Sequence, residues 1–253
     1  MKIEIKKITK KYNNNSVLNN ITIEFKLGRT YCVLGKNGAG KSTLFNILMN
    51  LVSKSSGEIL YDNKVYDALP KYIKRKIGFL SENIHVIEEL TAFQYLKFIG
   101  TLYEINSSEL NKRISELLNI FFNSNLNINK KQILNFSTGM KKIVAFCGAI
   151  IHLPEVLILD EPFAGLDTIS AHRVINVINS FRKANRVLVF SSHNFEYVEK
   201  MKPDVLIIID KGNIIFQGSI DDFTRNGETK LDKALLKAFN FEKDTQNSKL
   251  SWL

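Results

Sequence analysis

The stretch Gly35–Thr43 reads GKNGAGKST, which matches the pattern G-x-x-x-x-G-K-S/T of a phosphate-binding P-loop. The run Thr30–Leu34 before it predicts a strand, and apolar residues follow it at the spacing of a helix. Glycines let a backbone wrap closely around phosphate oxygens, and the N–H groups at a helix N-terminus attract anions. An ordinary glycine-rich turn is the alternative, but it does not account for the lysine and the full spacing together.

The side chains of this loop predict binding of a nucleotide with Mg²⁺. Lys41 can reach the terminal phosphates, and the Ser42 hydroxyl is a ligand of the kind that Mg²⁺ prefers. The residues of the loop that we expect to bind the nucleotide are Gly35, Asn37, Gly38, Gly40, Lys41, Ser42 and Thr43. Tyr12, on the loop side of the first predicted strands, can stack on a base through its ring, although a packing or surface tyrosine is the alternative.

A second stretch, Glu155–Pro162, reads EVLILDEP. Its four consecutive apolar residues predict a strand that is buried on both faces. Asp160 and Glu161 follow at the carboxyl end of that strand, where ligands bind in open α/β sheets. We expect Asp160 to hold Mg²⁺ directly or through water, and Glu161 to act as general base or to position the attacking water. A strand end merely exposed to solvent would not explain two acids at this point.

His193 follows another predicted buried strand, Arg186–Phe190, and the pair Ser191–Ser192. Because it should lie at the same sheet edge, we expect it to contact the γ-phosphate and to hold water and phosphate in line. The alternative is a lone histidine without a part in the chemistry.

Composition narrows the class of protein. No apolar run among the 253 residues is long enough to span a bilayer, and the N-terminal segment lacks the apolar region of a signal peptide, so we expect an intracellular chain. Cys32 and Cys147 lie in apolar surroundings that favour reduced core thiols, and the four histidines lack metal-ligand spacing. The net charge is +10, but the lysines are spread along the chain, and we expect no nucleic-acid partner.

The order of predicted elements indicates an α/β fold, a P-loop NTPase (RecA-like) core with a mostly parallel sheet. Residues 1–25 alternate as in a hairpin or a small antiparallel subdomain, and a helical subdomain is inserted at about residues 84–152. We expect residues 1–228 to form one nucleotide-binding unit and residues 229–253 to form a C-terminal helix and tail.

The ordered set of motifs resembles the ATP-binding subunit of an ABC transporter. Phe136–Met140 (FSTGM) stands where that family has LSGGQ, and the Asp160–Pro162 strand end, Ala164–Asp167 and His193 follow in order. The P-loop alone would indicate only a nucleotide. The resemblance extends from the first strand to Gly218.

The resemblance implies that two ATP-binding subunits meet head to tail, as a homodimer or a heterodimer. ATP would be held by the P-loop of one subunit and by Ser137 and Gly139 of the other, with Asp167 at the interface and Tyr12 on the adenine. It further implies a separate transmembrane permease, and a cytoplasmic chain peripheral to the inner face of a bacterial cell membrane.

Two departures from the family pattern bear on function. Phe136, Thr138 and Met140 replace Leu, Gly and Gln, and such variants resemble the ABC-2 type exporters, which include drug and bacteriocin self-protection systems. Glu82 stands where the family has a glutamine that contacts Mg²⁺. We expect this carboxylate either to bind Mg²⁺ beside Asp160 or only to line the loop.

These observations predict an ATPase that powers efflux through the permease, whose substrate the residues do not name. Four apolar residues after Glu82 are expected to contact a permease helix or to be buried within the helical subdomain: Ile84, Val86, Ile87 and Leu90. The alternative hypotheses are a soluble ABC ATPase acting on ribosomes or DNA, a P-loop kinase of a small molecule, and a regulatory cassette that scarcely hydrolyses ATP.

Overall fold

A computed structural model describes residues 1–13, 15–122, 130–182, 185–225 and 227–239. Its N-terminal sheet is antiparallel, with strand order β2-β1-β4-β5. The strands of this sheet are β1 (Ile3–Tyr12), β2 (Asn15–Phe25), β4 (Ser56–Tyr61) and β5 (Lys64–Val65). Buried isoleucines on β1 and β2 form the inner face, as the alternation of apolar and polar residues predicts.

The central sheet has six strands in the order β10-β9-β3-β8-β7-β6. Its strands are β3 (Thr30–Leu34), β6 (Ile77–Leu80), β7 (Val156–Leu159), β8 (Val187–Ser192), β9 (Val205–Asp210) and β10 (Asn213–Gly218). Every neighbouring pair is parallel except β9 and β10. The carboxyl ends of β3, β6, β7 and β8 therefore meet at one edge, where the predicted site residues follow.

The helices cover the central sheet and form the inserted subdomain. Their bounds are α1 (Lys41–Leu48), α2 (Lys71–Lys74), α3 (Ala92–Leu102), α4 (Ser107–Phe122), α5 (Thr138–Ile150), α6 (Thr168–Arg182), α7 (Phe195–Met201), α8 (Ile220–Thr224) and α9 (Leu231–Ala238). A short 3₁₀ helix, Ile133–Asn135, leads into α5. The predicted α/β class, the antiparallel subdomain and the helical insertion are confirmed.

Two hydrophobic clusters sandwich the central sheet. One packs α1 and the antiparallel sheet against one face, and the other packs the inserted helices, α6 and α9 against the opposite face. Strands β7 and β8 are buried along their whole length because both faces are covered, which explains their uninterrupted apolar sequence. Both cysteines are free and buried, and burial raises the pKa of each thiol.

The C-terminal region begins with α9, whose Leu231 and Leu235 are buried in the second cluster. The rest of the predicted tail, residues 240–253, lies outside the described residues, as do residues 123–129 of the predicted loop after α4. The limits 1–228 and 229–253 stay a prediction. Among the described residues, no helix has the length and apolar character needed to cross a membrane.

Candidate functional site

The P-loop connects β3 to α1 along a path that only glycine fits at two positions. Gly40 has φ +108°, and a Cβ there would lie 2.7 Å from the Leu18 side chain and 2.8 Å from the Val17 carbonyl oxygen. At Gly35, a Cβ would lie 2.4 Å from the carbonyl oxygen of Ile209. The loop is therefore held against both β2 and β9, and α1 starts directly after it, at Lys41.

Lys41 places a positive charge on the floor of this loop. Its side chain is only 6% exposed, and Nζ donates to the carbonyl oxygens of Gly35 at 2.7 Å and Lys36 at 3.2 Å. Nζ also lies 3.6 Å from Oε1 of Glu161. The structure thus brings together the lysine of the first motif and the glutamate of the second. Asn37 lies exposed at the loop, and Thr43 lies half-buried in α1.

Asp160 and Glu161 are tied together by Ser191, at the end of the neighbouring strand β8. The Ser191 hydroxyl donates to Oδ1 of Asp160 at 2.6 Å and accepts from the backbone N–H of Glu161 at 2.8 Å. Burial, with the nearby charges of Glu82 and Glu161, raises the pKa of Asp160 against the opposing effect of hydrogen bonds from Ser191 and Ser42. The carboxylates are therefore crowded in a partly dry site, which favours a bound cation.

The Glu161 side chain is held from two sides. Oε2 lies 2.9 Å from Nδ1 of His193, and Oε1 faces Lys41 but accepts no hydrogen bond from the described part of the chain. The residue is 5% exposed and has a left-handed backbone, with φ +48°. A buried carboxylate oxygen with unused acceptor capacity, next to a P-loop, is suited to bind a water or a hydroxyl proton.

The donor set for Mg²⁺ lies around Ser42 at the start of α1. Its hydroxyl donates to Oε2 of Glu82 at 3.2 Å, and Ser42 also lowers the pKa of Asp160. Hydroxyl and carboxylate oxygens suit a hard divalent cation that keeps several of its waters. No group of three or more His, Cys, Asp or Glu side chains within the described ranges is arranged to hold a metal by itself. The residues fit a magnesium ion bound jointly with phosphate oxygens.

Ser137, Gly139 and Asp167 form a separate group. The Ser137 side chain caps α5 by accepting from the N–H of Met140 at 3.2 Å, and Asp167 accepts from the backbone and hydroxyl of Ser170 in the first turn of α6. At Gly139, a Cβ would lie 2.9 Å from the Gly165 carbonyl oxygen, so α5 starts in direct contact with the turn that precedes Asp167. Capping gives Ser137 and Asp167 a local structural role whatever else they bind.

Tyr12 lies at the end of β1, and 47% of its surface is exposed. The buried Lys10 ammonium lies 4.5 Å from the centre of the Tyr12 ring and donates to the Ser53 carbonyl oxygen at 2.7 Å. The cation thus supports the ring and leaves much of it accessible for stacking.

Two residues of this region were missed in the sequence. The sequence shows Ser191 only as part of the polar pair before His193. Lys142 belongs to a Lys-Lys pair, which is typical of a solvated helix face. Lys142 is only 4% exposed, and its Nζ donates to the carbonyl oxygens of Glu161 at 2.9 Å and Ala164 at 2.8 Å. It connects the Asp160–Glu161 cluster to the group around Gly139.

Comparison with known proteins identifies the family. The family model described as ABC transporter matches residues 18–164, more than half of the chain. An uncharacterised ABC transporter ATP-binding protein of Nostoc sp. is 34% identical over 228 residues, which are 86% of this chain and 67% of that protein.

Two relatives carry more specific names. The lantibiotic transport ATP-binding protein SrtF of Streptococcus pyogenes is 32% identical over 95% of this chain and 99% of its own length. The linearmycin resistance ATP-binding protein LnrL of Bacillus subtilis is 32% identical over 87% of this chain and 70% of its own length.

Solved structures agree with these sequence matches. An ATP-binding subunit of an ABC transporter superimposes with a TM-score of 0.84 at 25% identity, covering 94% of this chain and 100% of that one. A dimeric ATP-binding cassette in a post-hydrolysis state with ADP and Pi superimposes with a TM-score of 0.77 at 22% identity, covering 86% and 98% of the two chains, and supports the fold alone. The protein described here therefore belongs to the ABC transporter family, as an ATP-binding ATPase subunit.

Proposed function

We propose that two ATP-binding subunits, of which this chain is one, close around ATP and hydrolyse it to drive export through a separate permease. The observation that carries the proposal is the buried Glu161 carboxylate, held between the Lys41 ammonium and the His193 imidazole beside the P-loop. A general base needs this combination of fixed orientation and free acceptor capacity.

Each side chain of the cluster would have its own role in ATP hydrolysis. Lys41 binds the terminal phosphates, and Glu161 accepts a proton from the attacking water or holds that water in line. His193 orients Glu161 through Oε2. Since 51% of its side chain is exposed, it would also be free to donate to the γ-phosphate. Ser42 and Asp160 would hold Mg²⁺, with Glu82 as a further oxygen donor, and the ion would neutralise phosphate charge.

The dimer is supported by the location of the two groups of predicted ATP contacts on different elements, the P-loop before α1 and the start of α5. Ser137 and Gly139 belong to a cluster at the N-terminus of α5, whose dipole and N–H groups suit a phosphate brought by a facing subunit. Asp167 is exposed in the adjoining turn, where a facing subunit could contact it. We propose that the P-loop of one subunit and this corner of the other enclose the nucleotide, with Tyr12 stacked on the adenine.

A groove of about 570 Å³ between the central sheet and the inserted helices is the proposed site for the permease. The residues that line it include Phe79, Ser81, His85, Tyr95, Leu102, Tyr103, Ala145 and His152. Val86 and Leu90, which the sequence offered for this contact, instead pack partly buried on the chain's own core. A short cytoplasmic helix of the permease fits such a groove by its apolar face.

Export is supported by the names of the lantibiotic transport and linearmycin resistance relatives. We propose that the chain acts in efflux or self-protection against a drug or peptide, in the cytoplasm and on the inner face of the cell membrane through its permease.

ATP hydrolysis by the purified chain tests the site. Lys41→Ala should abolish tight ATP binding, because the phosphates lose their buried cation. Glu161→Gln should lower kcat by about 100-fold or more while ATP still binds, because a general base is lost, and it should accumulate as a nucleotide-bound dimer. Glu116→Gln, on the exposed face of α4, is the control and should keep the wild-type rate. Unchanged steady-state rates in both site variants would refute the assignment.

A further inference from the structure

Lys142 is a buried lysine that none of the ATP contacts above uses. It lies in the second turn of α5, and its ammonium bridges the carbonyl oxygens of Glu161 and Ala164. These two carbonyls bracket the Pro162–Phe163 dipeptide, so both ends of the segment that follows the catalytic glutamate are fixed to one side chain.

The same helix carries the corner proposed to meet the facing subunit's phosphate. Gly139 packs against the carbonyl of Gly165, one residue beyond the second carbonyl that Lys142 holds. The start of α5 and the Glu161–Gly165 segment are therefore joined twice, by the Gly139 contact and by the Lys142 bridge. Because the buried Lys142 ammonium is hydrogen-bonded to this segment at 2.9 and 2.8 Å, we expect a displacement of either one to move the other.

The charge of Lys142 matches its surroundings. Burial lowers the pKa of Lys142, and this effect is opposed by the negative charges of Glu161, Glu82 and Asp160. A buried ammonium is costly unless it is paired and hydrogen-bonded, and the carbonyl oxygens of Glu161 and Ala164 accept from this one. The lysine places its cation at the junction between the catalytic carboxylates and α5.

We infer that Lys142 is a positioning residue that couples the Ser137–Gly139 corner to Glu161, so that closure on the facing subunit sets the orientation of the catalytic carboxylate. Glu161 has a left-handed backbone, which is unfavourable for a glutamate. Contacts from outside the segment, such as the Lys142 bridge, must therefore maintain it. This inference rests on the proposed ATP-driven dimer.

The test uses Lys142→Met, which keeps the length of the side chain and removes the charge and the donors. We expect ATP affinity of the isolated subunit to stay within about twofold, because Lys41 and the P-loop are unchanged. In the Glu161→Gln background, the ATP concentration for half-maximal dimerisation should rise about tenfold, and with Glu161 intact kcat should fall at least tenfold. Light scattering and steady-state kinetics measure the two effects.

Lys141→Met is the matched control, since the neighbouring lysine pairs at 2.7 Å with Glu88, away from the catalytic carboxylates, and should change neither quantity. If Lys142→Met does not fold, Lys142→Gln replaces it, because its amide can still donate to a loop carbonyl. We also combine Lys142→Met with Ser137→Ala. The shifts in half-maximal ATP concentration of the two single variants should then be less than additive in the double variant, whereas a merely structural lysine would give additive shifts or none.

The outcomes separate the two hypotheses. If the Glu161→Gln parent fails to dimerise with ATP, the proposed function fails, and this inference falls with it. If the parent and Lys141→Met dimerise normally and Lys142→Met does so at the same ATP concentration with unchanged kcat, Lys142 is a structural lysine only.

Discussion

At the scale of single residues, Ser191 is the side chain on which the two acids depend. Its hydroxyl satisfies one oxygen of Asp160 and the backbone N–H of Glu161, and it is fully buried. Ser191→Ala therefore leaves a buried N–H without its partner, and should lower the free energy of unfolding by about 1–3 kcal/mol. It should also lower kcat by about 10- to 100-fold, as is typical for a residue that orients metal ligands.

Urea unfolding and ATPase kinetics measure these two effects. Thr224→Val is the control, because it removes another buried hydroxyl whose hydrogen bonds stay within α8. It should lower stability and leave kcat unchanged. A Ser191→Ala enzyme with wild-type kcat would contradict the role given to this serine.

The sequence predicts those site residues that belong to a short local motif. Lys41, Asp160 and Glu161 each belong to a short motif next to a strand, so their convergence at one sheet edge followed from strand order. Lys142 and Ser191 could not be found this way, because their partners are 19 to 31 residues away and nothing in a Lys-Lys or Ser-Ser pair indicates burial.

At the scale of elements, the strands of the central sheet were predicted well because burial on both faces leaves long apolar runs. Short elements such as β5 and α2 were missed, since two to four residues carry no periodicity. The apolar residues at helical spacing after the P-loop continue to Leu51, whereas the helix ends at Leu48. Asn50 has a left-handed backbone, φ +55°, which stops the helix and leaves Leu51 65% exposed.

The turn between α5 and β7 makes stability depend on pH through His152. Its ring stacks on Tyr103 with 3.7 Å between centroids, and Nε2 lies 3.2 Å from the Ile77 carbonyl oxygen. Burial lowers the pKa of His152 to about 4, with a smaller contribution from the charge of Arg113 and against the effect of the Ile77 carbonyl. The imidazole is thus neutral in the folded chain at pH values where it is protonated in the unfolded chain.

The direction of the change in stability with pH follows from which state binds the proton of His152. Between the unfolded pKa of about 6.5 and the folded pKa of about 4, the unfolded chain binds the extra proton, so His152 destabilises the fold as pH falls through this window. The free energy of unfolding should fall by about 3 kcal/mol across this window and should change no further through His152 below pH 4. His152→Phe keeps the stack and removes the titration, and urea unfolding from pH 7 to 4 should show a shallower decline. Parallel declines in variant and wild type would exclude His152 as the cause.

At the scale of the whole molecule, the proposed exporter subunit must do two things on different surfaces. In the proposed dimer, the edge formed by the P-loop, Glu161 and the start of α5 would face the other subunit. The groove between the central sheet and the inserted helices opens elsewhere, beside Ser81 at the end of β6. Glu82 follows Ser81 directly and contacts Ser42, so the two surfaces are connected through the residue that departs from the family's glutamine.

This division predicts that coupling to the permease can be removed while nucleotide chemistry is kept. Leu102 lines the groove, is 55% exposed, and is absent from the proposed ATP contacts. Leu102→Glu puts a charge where an apolar helix face would dock, and docking would then bury that charge without a partner. We expect the fraction of the Leu102→Glu chain that sediments with membranes of the source cell to fall at least tenfold. When Leu102→Glu is combined with Glu161→Gln, the purified chain should still form the ATP-driven dimer. Ile120→Glu, at an exposed position of α4 outside the groove, should leave membrane association intact, and equal loss in both variants would point to general repulsion from the membrane rather than to a docking site.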